Sequence, residues 1–183
     1  MEVASGIFTF DDVLSCEECD EYIAFTERIG YEAAPISTGL GFAVRPEIRN
    51  NSRVIVDDHR RSSDLWQRVR DLVPAFLQGR QAVGLNERFR FYRYDAGERF
   101  APHADGPFRR ANGEESLLTF MIYLNDGFEG GETGFGNVWI TPKTGMALIF
   151  HHHLSHEGSA VKGGRKYVLR SDVMYGRVGV LLG

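Results

Sequence analysis

The spacing of hydrophobic residues along the chain changes near Gly84. Before this point, in the segment from about Ser63 to Gln78, apolar side chains recur every three or four positions, which is typical of an amphipathic helix. After it come short apolar segments separated by Gly-rich or Asn/Asp-rich turns, which is typical of strands. These segments are RFRFYRY, SLLTFMIYLN, NVWIT, MALIF and KYVLRSDVMY. Helices followed by a run of strands predict a mainly β fold (α+β), a sandwich or jelly roll with the helices packed on one sheet.

The first helix is predicted over the segment SCEECDEYIAFTERIG. Ser15 with Glu18 three residues later makes a capping box, and Gly30 supplies the C-terminal stop. The CEEC motif in this segment has an alternative interpretation as a redox or zinc site. A redox motif needs a preceding strand and turn, and structural zinc needs about four ligands, so an ordinary helix is favoured. Because Cys16 and Cys19 are the only cysteines, no disulfide framework is predicted.

A second helix is predicted from about Ser63 to Gln78, and Pro74 is expected to kink it or to close it early. Its apolar face is formed by Leu65, Val69, Leu72 and Phe76. Between the helices, residues 31–52 contain several Gly and Pro residues and show no steady period. They are predicted to form a long loop of the kind that serves as a lid or binding loop.

The length and charge of the chain limit its function. With 183 residues, 43% of them hydrophobic, it is expected to form a single domain over 1–183, with a helical N-terminal part at about 10–80 and a jelly-roll core at about 84–178. The formal charge of −4 disfavours nucleic acid as a partner. No secretory leader or long apolar run occurs, so we expect a cytoplasmic protein without a membrane partner.

The candidate chemistry begins in the segment FAPHADGPF. On an extended backbone His103 and Asp105 project onto one face, where an imidazole and a carboxylate can take adjacent positions on a divalent metal. Because this motif is short, a surface turn is the alternative interpretation. A histidine about fifty residues later would complete the facial triad of non-heme Fe(II) oxygenases, which has two histidines and one carboxylate. The segment FHHHLSHEG offers four candidates for it: His151, His152, His153 and His156.

From about Asn86 to Tyr175 the chain resembles the prolyl-4-hydroxylase-like branch of the Fe(II)/2-oxoglutarate dioxygenases. The family pattern has a tyrosine, a glycine, an aromatic residue and then His-x-Asp, which correspond here to Tyr94, Gly97, Phe100, His103 and Asp105. The pattern continues with a strand like TFMIYLN and a turn like FEGGET. It ends with a distal histidine that is followed nine or ten positions later by a basic residue.

The resemblance implies that His156 is the third metal ligand, because Lys166 lies ten positions after it. His152 stays an alternative, since Lys162 lies ten positions after that histidine. The implied cofactors are Fe(II), with 2-oxoglutarate and O2 as cosubstrates and ascorbate as a candidate reductant. Lys166 is implied to bind the distal carboxylate of 2-oxoglutarate, which needs a buried cation once it leaves water. Tyr123 and Tyr94 are the implied tyrosine partners of this cosubstrate.

Several arginines are candidates for substrate binding. Arg88, Arg90 and Tyr94 alternate onto one side of a predicted strand, which is the pocket side if Tyr94 points inward. Arg170 shares the parity of Lys166, and Arg53 follows the predicted loop. Ordinary ion pairing with acidic residues is the alternative role. The functional hypothesis is that two or more of them bind an anionic group of the substrate: Arg53, Arg88, Arg90 and Arg170.

The implied reaction is hydroxylation of an unactivated C–H bond, with release of succinate and CO2. Halogenating relatives lack the carboxylate ligand, so the presence of Asp105 favours hydroxylation. The substrate is left open between a peptide prolyl residue, a free amino acid and a small carboxylated metabolite. Two alternative functions remain: a jelly roll that binds metal or sugar without catalysis, and a nucleic-acid demethylase of the same superfamily. The acidic composition disfavours the second.

Overall fold

The computed structural model describes residues 1–38 and 41–177, and these form two helices and eighteen strands. The helices are α1 (Cys16–Ile29) and α2 (His59–Val69). The strands are β1 (Glu2–Ala4), β2 (Ile7–Phe10), β3 (Glu32–Ala33), β4 (Ile36–Thr38), β5 (Gly41–Ala43), β6 (Ser52–Asp57), β7 (Phe76–Leu77), β8 (Arg80–Leu85), β9 (Arg88–Tyr94), β10 (Phe100–His103), β11 (Glu115–Tyr123), β12 (Glu129–Gly130), β13 (Thr133–Phe135), β14 (Val138–Ile140), β15 (Ala147–His151), β16 (His156–Gly158), β17 (Val161–Gly163) and β18 (Lys166–Arg177). Among these residues, neither helix has the length and apolar character needed to cross a membrane.

Ten strands form one antiparallel main sheet with the order β1-β2-β15-β11-β18-β9-β6-β3. The long strand β18 pairs with β9 along its first half and with β8 along its second half, and β7 pairs with β8. A small sheet has the order β10-β16-β13-β14, and the pairs β12-β17 and β4-β5 complete the strands of the described residues. The fold is a mainly β jelly roll with helices packed on the main sheet, which is one of the two architectures predicted from the order of helical and strand segments.

Side chains of the main sheet alternate between two cores, because successive residues of a strand point to opposite faces. Leu118 and Ile122 of β11 pack in the core that also contains Leu65 of α2. Tyr123, the next residue of β11, belongs to a second core together with Phe135 of the small sheet. The second core lies between the two sheets and surrounds the candidate site.

The first helix begins and ends where the sequence predicted. The Ser15 hydroxyl accepts a hydrogen bond from the Glu18 amide at 3.2 Å, and the Glu18 carboxylate accepts one from the Ser15 amide at 2.9 Å. Gly30 ends the helix with a φ of 93°, a backbone conformation that favours glycine. Cys16 is exposed and Cys19 is buried, and both are free thiols of this ordinary helix.

The predicted bounds of the second helix are wrong. α2 starts at His59, because the Asp58 carboxylate accepts a hydrogen bond from the Arg61 amide at 2.9 Å and caps the helix. It ends at Val69, five residues before Pro74, which is close to the predicted early closure. Phe76 therefore lies in β7 and is 62% exposed instead of packing on a helix face.

The long loop predicted for residues 31–52 contains three short strands, β3, β4 and β5. β3 extends the main sheet beside β6, and the Ala101 amide donates to the Ile48 carbonyl at 2.8 Å. The N-terminal part also supplies β2 and β6 to the main sheet, so it is not purely helical. Residues 39–40 and 178–183, which the predicted loop and domain include, lie outside the described residues.

Candidate active site

His103, Asp105 and His156 converge, with one candidate ligand atom from each lying within 4.8 Å of the others. His103 ends β10, His156 begins β16, and the two residues lie opposite each other in this antiparallel pair. Asp105 follows β10 closely. Its carboxylate oxygens lie 3.9 Å from Nε2 of His103 and 3.7 Å from Nε2 of His156. A single metal ion could contact all three side chains.

Both imidazoles are held in the tautomer that metal binding requires. Nδ1 of His103 donates to the Ala101 carbonyl at 2.8 Å, and Nδ1 of His156 donates to the Leu154 carbonyl at 3.0 Å. Since a carbonyl can only accept, Nδ1 carries the proton and the Nε2 lone pair is free. Burial, and then the neighbouring His156, lowers the pKa of His103 to about 4. Burial also lowers the pKa of His156, so both rings are neutral at pH 7.

Asp105 is an ionised carboxylate. Burial alone would raise its pKa, but the neighbouring groups together outweigh burial and lower the pKa, and the largest contribution among them comes from the Arg170 guanidinium, 3.0 Å from Oδ1. His156 and the Thr119 hydroxyl lower it further. Two neutral imidazoles and one carboxylate are the donor set of a facial Fe(II) triad, so the residues present fit this metal.

A chain of hydrogen bonds behind the metal centre holds the Asp105 carboxylate. The Thr119 hydroxyl donates to Asp105 Oδ2 at 2.6 Å and accepts from His152 Nδ1 at 2.9 Å. His152 Nε2 accepts in turn from the Ser116 hydroxyl at 2.8 Å. Because both ring nitrogens of His152 are engaged, this alternative to His156 supports the site from behind and does not face the metal position. No sequence pattern indicated this series of hydrogen bonds, which joins residues of β11 to the turn after β15.

The triad faces a cavity of about 370 Å³ between the two sheets. This volume lies near the lower end of the range for small-molecule pockets, which is roughly 300–1,000 Å³. The cavity is lined by these residues, among others, that the sequence predicted for the site: Arg53, Arg90, Tyr94, His103, Asp105, His156, Lys166 and Arg170.

Lys166 is a buried cation on this cavity, with 3% of its surface exposed. It lies opposite Tyr94 in the β9-β18 pair, and its ammonium nitrogen is 5.2 Å from the Tyr94 ring centroid and 5.3 Å from that of Tyr123. The ammonium donates to the Gly131 carbonyl at 2.6 Å and forms no ion pair with a described carboxylate. Burial lowers its pKa to about 7. A carboxylate that entered the cavity would supply the missing partner.

Tyr123 lies behind the cavity wall and is fully buried. Its hydroxyl shares a hydrogen bond of 2.6 Å with the Thr133 hydroxyl, and Thr133 lines the cavity. Burial raises the pKa of Tyr94 to about 12, so this tyrosine is a neutral hydroxyl on the wall. Thr133 was not identified from the sequence, because β13 is only three residues long and carries no recognisable pattern.

The prediction that Arg88 faces the pocket is wrong. Arg88 does share a strand face with Tyr94, but it lies at the other end of β9, roughly 20 Å away along the strand. Its guanidinium donates two hydrogen bonds to the Asp57 carboxylate at 2.8 and 2.9 Å, and its side chain is about half exposed. Arg88 is thus a surface residue in an ion pair.

Arg90 and Arg170 line the cavity, and each forms an ion pair with an acidic residue of the protein. They lie opposite each other in β9 and β18 and share the buried carboxylate of Asp172, at 3.2 Å and 3.3 Å. Arg170 also contacts Asp105. The charges of these two arginines are therefore balanced by acidic residues of the chain.

Arg49 is a cavity residue that the sequence analysis missed. Its Nε donates to the Asn51 side chain at 2.6 Å, and its guanidinium carbon lies 4.3 Å from the ring centroid of Tyr92 and 4.4 Å from that of Phe100. Phe100 in turn stacks on His103 with ring centroids 3.5 Å apart. Arg49 lies in the segment predicted to be a loop, where no periodic pattern indicates which side chains face inward.

Sequence comparisons relate this chain to oxygenases. A profile of the 2OG-Fe(II) oxygenase superfamily matches residues 89–171, and a profile of phytanoyl-CoA dioxygenase (PhyH) matches residues 4–128. Prolyl 4-hydroxylase 1 of Arabidopsis thaliana is 27% identical over 132 residues, which cover 70% of this chain and 46% of that protein. The chain spans about half the length of the curated relatives it matches.

Solved structures of prolyl hydroxylases are among those that share the fold. The viral collagen prolyl hydroxylase of Paramecium bursaria Chlorella virus 1, in complex with 2-oxoglutarate, has a TM-score of 0.66 and 24% identity, and the match covers 97% of this chain and 100% of that one. A prolyl-4-hydroxylase of Pseudomonas putida has a TM-score of 0.70 and 17% identity, with 92% of each chain covered. At these identities the similarity establishes the fold alone.

Proposed function

The chain belongs to the 2OG-Fe(II) oxygenase superfamily, and we propose that it is an Fe(II)- and 2-oxoglutarate-dependent dioxygenase that hydroxylates an unactivated C–H bond. One observation carries the proposal: the triad of His103, Asp105 and His156 shares a cavity with the buried cation of Lys166, which forms no ion pair with a described carboxylate. A metal site alone would suit a binding protein. A metal site with a buried cation on the same cavity suits a dianion that chelates the metal at one end.

When bound, Fe(II) and 2-oxoglutarate supply the oxidation: 2-oxoglutarate and O2 yield succinate and CO2, and one oxygen atom of O2 enters the C–H bond as hydroxyl. The triad would hold one face of the metal and leave the other face to the cavity. Lys166 would hold the far carboxylate of 2-oxoglutarate, with Tyr94 beside it and Tyr123 acting through Thr133. Together these contacts would orient the keto acid toward the triad.

Aromatic rings pack around the two metal-site imidazoles. Phe100 stacks on His103, while Phe135 and Phe150 lie 5.7 and 4.5 Å from the His156 ring, measured between centroids. These rings keep water away from the imidazoles on the protein side. The metal position is therefore open to the cavity and closed toward the core.

The substrate class within this proposal is a peptide prolyl residue, a free amino acid or a small carboxylated metabolite. The names of the relatives, which are prolyl hydroxylases, support proline as the residue that is hydroxylated. The small volume of the cavity and its arginine lining support a small carboxylated molecule.

The test is release of succinate from 2-oxoglutarate by the Fe(II)-loaded protein in the presence of O2 and ascorbate. Proline-containing peptides, free proline, small carboxylic acids and methylated oligonucleotides are added in turn. We expect O2-dependent succinate release that one of the first three classes stimulates. Binding of iron without any succinate release would contradict the proposal and favour the alternative of a jelly roll that binds metal or sugar. Stimulation by the oligonucleotides alone would favour a demethylase.

A further inference from the structure

We propose that the primary substrate carries a carboxylate, and that Arg49 and Arg53, here called the arginine pair, bind it. This inference rests on the proposed function, because that function assigns 2-oxoglutarate to Lys166. Arg53 lies in β6 and Lys166 in β18, on opposite sides of β9. Neighbouring strands are about 4.8 Å apart, so the two cations belong to backbones roughly 10 Å apart across the sheet. Both side chains line the cavity, which therefore has cationic groups on two different strands.

Both members of the arginine pair have buried donors that are not used. Arg49 is 5% exposed, and its Nη2 has no hydrogen-bond partner among residues 1–38 and 41–177. The same holds for Nε of Arg53 within that part of the chain. A buried donor without an acceptor is costly, so such groups in a cavity indicate a missing ligand. The planar guanidinium matches the two oxygens of a carboxylate.

The backbone places Arg49 beside the metal centre. Arg49 and Phe100 form an isolated antiparallel bridge, which brings the arginine next to the strand that carries His103. The guanidinium contacts the Phe100 ring, and the same ring stacks on the imidazole of His103. Asn51, which is 1% exposed, accepts from Nε of Arg49 and fixes its direction. A carboxylate on Arg49 would thus lie one aromatic ring away from a metal ligand.

The charges around the cavity are not balanced by the chain itself. Among the described residues, five cationic side chains and one acidic side chain line it, and the acidic one is Asp105. Arg90 and Arg170 are balanced by Asp172 and Asp105, and Lys166 is assigned to 2-oxoglutarate. The arginine pair is left without an acidic partner in the described part of the chain. This local excess of positive charge contrasts with the formal charge of −4 for the whole chain.

The pKa of Tyr92 is consistent with this local excess of positive charge. Burial alone would raise its pKa, but the guanidinium groups of Arg49, and then of Arg170 and Arg90, outweigh burial and lower the pKa. Glu32 lies opposite Arg53 in the β3-β6 pair, but it is exposed and forms no ion pair with that arginine. An anion from outside the chain is therefore the natural partner. An internal prolyl residue is uncharged, so a free amino acid or a small carboxylated metabolite is favoured as substrate.

The experiment measures binding of small oxyanions to protein that is loaded with Zn(II) and saturated with 2-oxoglutarate. Zn(II) accepts the same ligands and has no redox chemistry, so no turnover occurs. Saturation-transfer NMR is followed at the methyl group of acetate, of methylphosphonate and of the neutral isostere acetamide. We expect acetate to bind and acetamide not to bind. Arg49→Met and Arg53→Met should each weaken acetate binding at least about tenfold, whereas the surface variant Arg88→Met should not change it.

Each alternative result has a defined meaning. Equal acetate binding by the wild type and both arginine variants overturns the inference, as does a wild type that binds neither oxyanion. Tighter binding of methylphosphonate than of acetate overturns the choice of a carboxylate in favour of a phosphorylated substrate. If Arg49→Met does not fold, Arg53→Met and the charge-conserving Arg49→Lys replace it, and Arg49→Lys should retain part of the affinity.

The affinity for 2-oxoglutarate, measured on the same variants, separates this inference from the proposed function. If no variant and no wild-type sample binds 2-oxoglutarate, the proposed function fails. If the affinity for 2-oxoglutarate depends on Lys166 but the affinity for acetate does not depend on the arginine pair, only this inference fails. If 2-oxoglutarate depends on the arginine pair and not on Lys166, the two anion sites are reversed and the inference is overturned.

Discussion

Lys166 and the arginine pair are buried cations of the cavity that have no acidic partner among the described residues. They differ because only the lysine can become neutral by losing a proton. Burial lowers the pKa of Lys166 to about 7, so the empty site can lose its charge near neutral pH. The guanidinium group of arginine keeps its charge in proteins at neutral pH. The lysine site is thus suited to a cosubstrate that binds and leaves in every turnover. The arginine pair is a permanent positive site that selects what enters.

The largest loss of succinate formation should come from removing a ligand of the metal centre. His156→Ala removes one of the three converging ligands, and we expect succinate formation to fall on the order of a thousandfold or more, since residues of one catalytic unit fail together. His153→Ala is the matched control, because His153 is an exposed histidine in the same segment. Equal losses in the two variants would contradict the assignment of His156.

Removing the lysine charge should separate the two anion sites. Lys166→Met leaves the carboxylate of 2-oxoglutarate without its cation, and we expect its affinity to fall about thirtyfold or more. Acetate binding at the arginine pair should be unchanged within error. Lys162→Met, which replaces an exposed lysine four positions earlier, is the control. The separation of the sites fails if Lys166→Met weakens both ligands equally in calorimetric titrations.

Breaking the support of Asp105 should weaken the metal and leave both anion sites intact. Thr119→Val removes the hydroxyl that donates to Asp105 Oδ2 and accepts from His152, so we expect metal affinity to fall about ten- to a hundredfold. Thr141→Val, at an exposed threonine, should have no effect. Metal affinity can be measured by competition with a chelating dye. An unchanged affinity in Thr119→Val would mean that this hydrogen-bond chain has no part in metal binding.

The smallest expected effect is the pH dependence of 2-oxoglutarate affinity, and it distinguishes Lys166 from the arginine pair most clearly. 2-Oxoglutarate prefers the charged form of Lys166, so above the pKa of about 7 each binding event must first add a proton. Affinity should therefore be pH-independent well below pH 7 and fall up to about tenfold per unit as pH rises above it. Lys166→Arg should bind without this dependence, because arginine stays charged.

Calorimetry in buffers of different ionisation enthalpy measures the same proton directly. At pH 7 we expect an uptake of roughly half a proton per 2-oxoglutarate bound. Acetate binding at the arginine pair should show no uptake. Zero uptake for 2-oxoglutarate would show that Lys166 is fully charged in the empty cavity.

Much of the fold and of the triad could be predicted because the deciding signals are local in the sequence. Alternation along β9 and β11 indicates which side chains face the core, and the capping box of Ser15 and Glu18 marks the start of α1. The short spacing of His103 and Asp105, together with the offset between His156 and Lys166, was enough to select residues that the structure brings onto one cavity.

The rest depends on contacts between distant segments. Arg49 faces the cavity because of its bridge to Phe100, and no pattern around Arg49 indicates that pairing. His152 supports Asp105 through Thr119, which lies more than thirty positions before it in the chain. The alternation of side chains along β9 correctly placed Arg88 on the same strand face as Tyr94. Alternation does not indicate how far along a strand a cavity extends.

The central claim, that the triad and Lys166 hold one chelated dianion, is tested most directly by anaerobic calorimetric titration of 2-oxoglutarate, with and without one equivalent of Fe(II). We expect one Fe(II) per chain and tight binding of one 2-oxoglutarate only when Fe(II) is present. His156→Ala should abolish this iron-dependent binding, and Lys166→Met should weaken it about thirtyfold or more. An affinity for 2-oxoglutarate that is the same with and without Fe(II), or that survives both substitutions, would contradict the account.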